Sequence, residues 1–399
     1  MSDWQDLNIG SICIKIIDYR GKTPEKVLSG TKLITSKVIK NSRILDNANF
    51  EYIRDDKYEE VMRRGKPEFQ DILLTTEAPL GEVALIKSDE KIAIAQRIIL
   101  LRADQDKVIP DFLFYSLRGP IGYNRVQQKG TGTTVLGIKN PELKKVILPI
   151  PPLPTQQKIA KILSNHDDLI ENNLKRIELL EESARLIYEE WFLRFRIDGK
   201  KLEIDPESSL PFGWELVELG DFLKFKKGKK ADEIFEEKKD NLIKLLLLSG
   251  LGSGEYAYVE KARHVIARRG DVLMTMDGAR SSVVFYSEDG AVGSTMSLVE
   301  TGKLPKSYLY HFFKSTYEWL EINNTGAAIP HANKSFINKM KIIHPGDEIL
   351  TKWSKKMYHI NDQVFNLKDQ NQLLKEARDI LLPRLMTGMI DTDELDIAV

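Results

Sequence analysis

The strongest constraint on what this chain can fold into is that it repeats itself. Trp4-Gln-Asp-Leu7-Asn-Ile9-Gly10-Ser-Ile12 matches Trp214-Glu-Leu-Val217-Glu-Leu219-Gly220-Asp-Phe222. Gly21-Lys22 matches Gly228-Lys229, and Asp71-Ile-Leu73-Leu-Thr75-Thr-Glu77 matches Asp271-Val-Leu273-Met-Thr275-Met-Asp277. Pro110 to Tyr115 recurs as Pro305 to Tyr310, and Thr131-Gly132 as Thr325-Gly326. The order is kept at a spacing of about 200 residues, so the chain reads as one unit built twice. Within each half, short β-type runs alternate with Gly, Pro and Asp turns: Ile72–Thr75, Val83–Ile86 and Ile98–Leu101, then Val272–Thr275 and Val283–Tyr286. Each half is expected to open with a mixed α/β head.

Each half then ends in a long helix. The first follows Pro149-Ile-Pro151-Pro152-Leu-Pro154, which is expected to be extended, with Thr155 as N-cap. Its apolar positions run Ile159, Ile162, His166, Leu169, Asn173, Ile177, Leu180, Ala184, Ile187 and Trp191. The second repeats the pattern through Trp353, Met357, Ile360, Val364, Leu367, Asn371, Leu374, Arg378, Leu381 and Leu385. Steps of three and four define a coiled-coil seam. A lone helix some 60 Å long, at 1.5 Å per residue, would leave its apolar stripe wet. The two are therefore expected to pair antiparallel, with Asn173 and Asn371 setting register, and Pro383 to break or kink the second near its end. The division expected is 1–148 and 201–344 as heads, 149–200 as a central spacer helix, and 345–399 as a C-terminal helix and tail. The fold class is α/β (mixed α+β), with a pseudo-twofold internal repeat.

Composition limits the function. Cys13 is the single cysteine, so an intrachain disulfide and a cysteine-based zinc site are excluded and a reducing compartment fits. The N-terminus lacks the pattern of a signal peptide, and no apolar run reaches the roughly 18 residues of a membrane span. A cytoplasmic protein with no membrane partner is expected. The formal net charge is zero, and residues 1–148 hold about 24 basic against 20 acidic side chains, so any nucleic-acid contact must come from local patches.

No catalytic constellation emerges, and no cofactor or metal is expected. A P-loop would need glycine where Ile16 stands before Gly21-Lys22-Thr23. Residues 250–254, after the apolar Leu245–Leu248, resemble a cofactor loop. However, Glu255-Tyr-Ala-Tyr258-Val looks like a strand where a dinucleotide site needs a helix to open. A flexible turn is the expectation there. The six histidines are scattered without metal-ligand spacing, and no Asn-Pro-Pro-Tyr-like methyltransferase tetrapeptide occurs.

Several loops instead combine glycine, hydroxyls and cations, a chemistry suited to phosphate: glycine lets the backbone approach, hydroxyls bond oxygens, and Arg or Lys neutralises charge. In the first head these are Arg20, Lys22 and Thr23; Arg63, Arg64 and Lys66; and Lys129, Thr131, Thr133 and Thr134. In the second they are Lys227, Lys229, Arg263, Arg268, Arg269, Arg280, Asn324 and Thr325, with His331, Asn333 and Lys334 able to bond base edges or phosphates. The heads agree in framework and differ in these loops.

Residues 149–191 (PIPPLPTQQKIAKILSNHDDLIENNLKRIELLEESARLIYEEW) resemble the central helical region of type I restriction–modification specificity subunits, where Pro-Leu-Pro-x-Gln-Gln-x-x-Ile opens the spacer helix. Trp-x-x-hydrophobic-x-hydrophobic-Gly at 4–10 and 214–220 is similar to the start of that family's target-recognition domains, and Thr131-Gly-Thr-Thr134 to their Gly-Thr-rich loop. The second half departs from the pattern: Pro345-Gly-Asp-Glu-Ile replaces the Gln-Gln start, and Ala327-Ala328-Ile329-Pro330 the hydroxyl-rich loop. The resemblance implies a non-catalytic DNA reader of the restriction system. Each head would read half of a bipartite double-stranded target, and the helices would fix the gap. Two adenine-N6 methyltransferase subunits would dock on it, with two ATP-driven restriction/translocase subunits. Two rivals are an S-adenosylmethionine-dependent methyltransferase with its cofactor loop at 250–254, and a protein scaffold with no DNA role. The first predicts cofactor binding by the isolated chain, and the second no sequence-selective DNA retardation.

Overall fold

The computed structural model describes residues 3–21, 23–45, 49–132 and 134–392, Ser253 by its backbone alone. It divides into two units, the first made of residues 1–173 and 369–399 and the second of 174–368. The same sheet forms in each. In unit 1, strands β1 (Cys13–Asp18), β2 (Ile72–Thr76), β3 (Leu80–Leu85) and β4 (Ile98–Ala103) lie in the order β1-β4-β2-β3. In unit 2, β5 (Lys224–Lys227), β6 (Val272–Thr275), β7 (Val284–Tyr286) and β8 (Met296–Glu300) lie in the order β5-β8-β6-β7. All neighbours are antiparallel.

The central strands are buried on both faces, which is why they read as unbroken apolar runs rather than alternating ones. Ile99 and Leu101 of β4 face one core with Ile72 and Leu74, while Ile98 and Leu100 face another with Leu73 and Ala84. Unit 2 divides its sheet in the same way, Val272, Met274 and Val299 on one side and Leu273, Met296 and Leu298 on the other. The first face packs under helix α1 (Pro110–Arg118) in unit 1 and helix α3 (Lys306–Ser315) in unit 2. The second lies against a smaller sheet with a parallel pair: Thr31–Ile34 beside Ile92–Ile94, and Leu242–Leu246 beside Gly290–Val292.

Two long helices run through both units, α2 (Leu153–Tyr188) and α4 (Asp347–Met386). Helix α2 begins before Thr155, so Leu153 and Pro154 belong to its first turn rather than to an extended lead-in. Proline is tolerated there because first-turn amides have no helical acceptor. Gln156, fully buried, fastens this end. Its Oε1 accepts from the Ile109 amide (2.9 Å), and its Nε2 donates to the carbonyls of Lys107 (2.9 Å) and Pro151 (2.8 Å).

The helices pair antiparallel within each unit. In unit 1 Asp167 and Asn173 meet Arg378 and Asn371, while in unit 2 Glu181 meets Lys368, and Trp191, just past the end of α2, packs edge-on to Trp353. Ile159, Asn173, Ile177, Trp191, Trp353, Met357, Val364, Leu367 and Asn371 are buried; Ile162, Leu180, Ile187, Ile360, Leu374 and Leu381 are partly buried. Leu169 is exposed, and Leu163 and Ile170 hold the buried positions beside Ile162 and Leu169. The sequence offers adjacent apolar pairs at 162–163 and 169–170, and packing selects the member that keeps fours and threes alternating strictly. Helix α4 runs through Pro383 and ends at Met386, one turn later. No helix among the described residues is long and apolar enough to cross a membrane.

Candidate nucleic-acid interface

The Thr-Gly motifs of the two units build the same loop from different side chains. Thr131 and Gly137 exchange backbone hydrogen bonds (2.7 and 3.0 Å), as do Thr325 and His331 (2.8 and 2.7 Å). The next amide anchors each loop to the sheet, Ile138 to the Thr76 carbonyl (3.0 Å) and Ala332 to that of Met276 (2.8 Å). Gly132 and Gly326 have φ of +125° and +90°, and a Cβ there would sit 2.2 Å from the Val135 carbonyl oxygen and 2.3 Å from that of Ile329. Only glycine closes this turn. The tips are exposed: Thr131, Thr134 and Val135 in unit 1, Thr325, Ala328 and Ile329 in unit 2.

A carboxylate stands at the base of each loop and organises cations. Glu77 bonds Arg97 (2.8 Å), and Gln96 beside it donates to the Thr23 hydroxyl (3.0 Å). Arg20 pairs with Asp18, and Arg64 reaches the carbonyls of Asp18 and Arg20 (2.5 Å each). In unit 2, Asp277 takes His331 Nδ1 (2.8 Å) and Lys227 (3.2 Å). Partial burial would raise the Asp277 carboxyl, but these two bonds outweigh it and hold the group below its ordinary range. Asn324 accepts from the Ser282 hydroxyl (2.7 Å) on the same side, and Lys334 lies over the Phe225 ring (5.6 Å).

Strand register corrects one match read from sequence. Asp18 lies opposite Ile99 and Lys227 opposite Ser297, while Ile99 and Ser297 lie opposite Leu74 and Met274. Lys227 therefore takes the place of Asp18, and the pairing of Gly21 with Gly228 is displaced by two residues. The same spot is anionic in one unit and cationic in the other.

Other expected contacts are tied up locally. Arg269 stacks on Phe365 of α4 (4.7 Å) and donates to its carbonyl (3.2 Å), so this guanidinium braces the head against the helix. The Asn333 side chain caps the helix Lys334–Lys339 by accepting from the Phe336 amide (3.1 Å). Lys66 pairs with Glu59 (2.7 Å). Arg63, Lys129, Lys229, Arg263, Arg268 and Arg280 are exposed and make no ion pair among the described residues. Lys22 and Thr133 lie outside the described residues. Glu77 and Arg97 lie outside the expected basic loops, although the Asp71–Glu77 and Asp271–Asp277 repeat marks the position of Glu77. Residues 248–253 form a short helix, Leu248–Ser253, rather than a flexible turn, ended by the left-handed Gly254 (φ +78°).

The paired heads and helices are those of a known family. The profile of the "Type I restriction modification DNA specificity domain" matches residues 1–182 and 211–377. The specificity subunit of the type I restriction enzyme MjaIX of Methanocaldococcus jannaschii is 28% identical over 349 residues, covering 81% of this chain and 78% of its own. The MjaVIII specificity subunit of the same organism is 22% identical over 422 residues, covering 99% and 94%. The type I restriction–modification S subunit from M. genitalium shares the fold, with a TM-score of 0.56 at 18% identity over 96% of each chain. The chain belongs to the type I DNA specificity family. It is a non-catalytic, sequence-specific DNA-binding subunit that reads a bipartite target within a type I restriction–modification complex of DNA, methyltransferase and restriction subunits.

Proposed function

We propose that each unit's head reads one half of the target through its Thr-Gly loop and the cations around it. The supporting observation is that one backbone frame, closed at Thr131/Gly137 and at Thr325/His331, carries unlike side chains in the two units. A fixed frame holds register on the phosphates while the side chains differ, which suits two readers of different half-sites. Arg20, Lys22, Thr23, Arg63, Arg64, Lys129, Thr131, Thr133 and Thr134 serve the first half-site. Lys227, Lys229, Arg263, Arg268, Arg280, Asn324, Thr325, His331 and Lys334 serve the second.

In the same reading, residues 1–148 and 201–344 are the target-recognition domains, and the helices of 149–200 and 345–399 set the unread gap. Two methyltransferase subunits dock on the repeated framework and two restriction/translocase subunits complete the complex in the cytoplasm. The test is to replace residues 1–148 with the head of another specificity subunit and map adenine methylation. One half of the methylated motif should change; a change in both halves rejects one head per half-site.

A further inference from the structure

Unit 2 holds a cavity of about 620 Å³ between helix α3 and its stretches of α2 and α4, lined by Ala184, Tyr286, Tyr310, His311 and Asn361 among others. That size suits a small molecule or a long side chain. The internal repeat shows what such a space accommodates. Along the seam the two helices correspond at a constant offset: Ile159 with Trp353, Ile170 with Val364 and Asn173 with Leu367, then Ile177 with Asn371. By that offset Asn361 corresponds to Asp167 and Ala184 to Arg378, and Tyr310 corresponds to Tyr115 through the Pro110 and Pro305 repeats.

In unit 1 these positions form a closed cluster. Asp167 accepts from Arg378 (2.5 Å), Arg118 (3.0 Å) and the Tyr115 hydroxyl (2.8 Å). In unit 2 Ala184 stands for Arg378 and Phe313 for Arg118, and the cavity lies beside Ala184. The wall has aromatic faces, an amide and four carboxylates (Glu178, Glu181, Glu182 and Glu189) against three cations (Arg185, Lys314 and Lys368), a net negative lining that suits a guanidinium. His311 is only 6% exposed, and its Nε2 is buried with no hydrogen-bond partner among the described residues. Burial keeps this ring neutral, with its pKa lowered to about 4, so one ring nitrogen is an acceptor. Among the wall carboxylates, Glu182 and Glu189 are held by Arg185 and Glu181 by Lys368 (3.3 Å), while Glu178 has no ion pair among the described residues.

We propose that this cavity binds a guanidinium group on an alkyl chain, supplied by a free small molecule or by an arginine side chain of a bound protein. The full-length chain is titrated calorimetrically with L-argininamide, and with norleucinamide as a control of similar length without the guanidinium. Saturable binding of argininamide alone is expected. The double variant Ala184→Arg, Asn361→Asp restores the Arg378–Asp167 pair of unit 1 inside unit 2 and should abolish it. Glu178→Gln, a surface change that leaves the fold intact, should weaken it several-fold.

Both variants are also tested for retention of the methyltransferase subunit in the purified complex. Loss of that subunit together with loss of argininamide binding assigns the guanidinium to a protein arginine. Loss of argininamide binding alone assigns it to a free molecule. Argininamide binding that survives both variants overturns the proposal. So does the absence of saturable binding to the parent chain when both variants keep the methyltransferase subunit.

Discussion

Asn173 Nδ2 donates to Asn371 Oδ1 at 3.0 Å, and both side chains are buried on the helix seam. Their repeat mates are apolar: Leu367 stands for Asn173 and Ile177 for Asn371, and those two share a buried cluster with Val364. A polar pair in one unit stands where the repeat gives an apolar pair in the other, and a single polar pair on a seam fixes register in helical pairs. Replacing Asn173 alone by Leu strands a buried amide and should cost about 1–3 kcal/mol. The double variant Asn173→Leu, Asn371→Ile should recover or exceed the parent stability. Denaturant unfolding of the three proteins decides it; a single variant as stable as the parent would contradict the pairing.

Asp167 provides a pH signature. Burial raises its carboxyl, but the Arg118 and Arg378 guanidiniums outweigh that and lower it below the ordinary 3.8. A depressed folded pKa means that the contribution is complete above the unfolded value and is lost as pH falls through the folded one. Asp167→Asn should therefore be less stable near neutral pH, by about 3 kcal/mol for a broken buried ion pair. The gap from the parent should shrink below about pH 4. Melting temperatures of both proteins from pH 7 to 3 test this, and a gap that stays constant would show that the carboxylate is not stabilised by its partners.

Two cations that look alike in sequence should behave oppositely. Lys129 is exposed beside the Thr131 loop, and Lys129→Ala should weaken binding to all DNA sequences and reduce the salt slope by about one unit. Arg269 is committed to Phe365, so Arg269→Ala should lower unfolding stability and leave the salt slope unchanged. Binding isotherms across salt concentrations, with melts alongside, separate the two. A slope change in Arg269→Ala would return that residue to the DNA interface.

These contrasts show where reading a sequence succeeds and where it stops. The duplication was legible because each half repeats its own apolar runs and turn residues, and the seam because steps of three and four recur over long helices. The period places Leu169 and Ile170 on the seam equally well, and only packing chooses between such neighbours. The role of Arg269 was hidden because its partner is 96 residues away, and that of Asp167 because Arg378 is 211 away. The Thr-Gly loops were visible as motifs, whereas their common frame depends on backbone bonds that composition does not encode.

The central claim is that two readers are held at a spacing set by the helices. Inserting four residues between Asn173 and Leu174 and four between Lys368 and Asp369 lengthens both helices by about one turn, roughly 6 Å, at the boundary of the two units. Successive bases lie about 3.4 Å apart along a strand, so the gap should grow by one or two base pairs. Four residues overshoot a turn of 3.6, and the seam must re-form as at a stutter. An insertion into one helix alone should mismatch the seam and abolish activity. The measurement is the genome-wide adenine methylation motif produced by the double insertion with its methyltransferase subunit. The account predicts both half-sites unchanged and the gap longer by one or two base pairs; a folded double insertion that methylates the original spacing would contradict it.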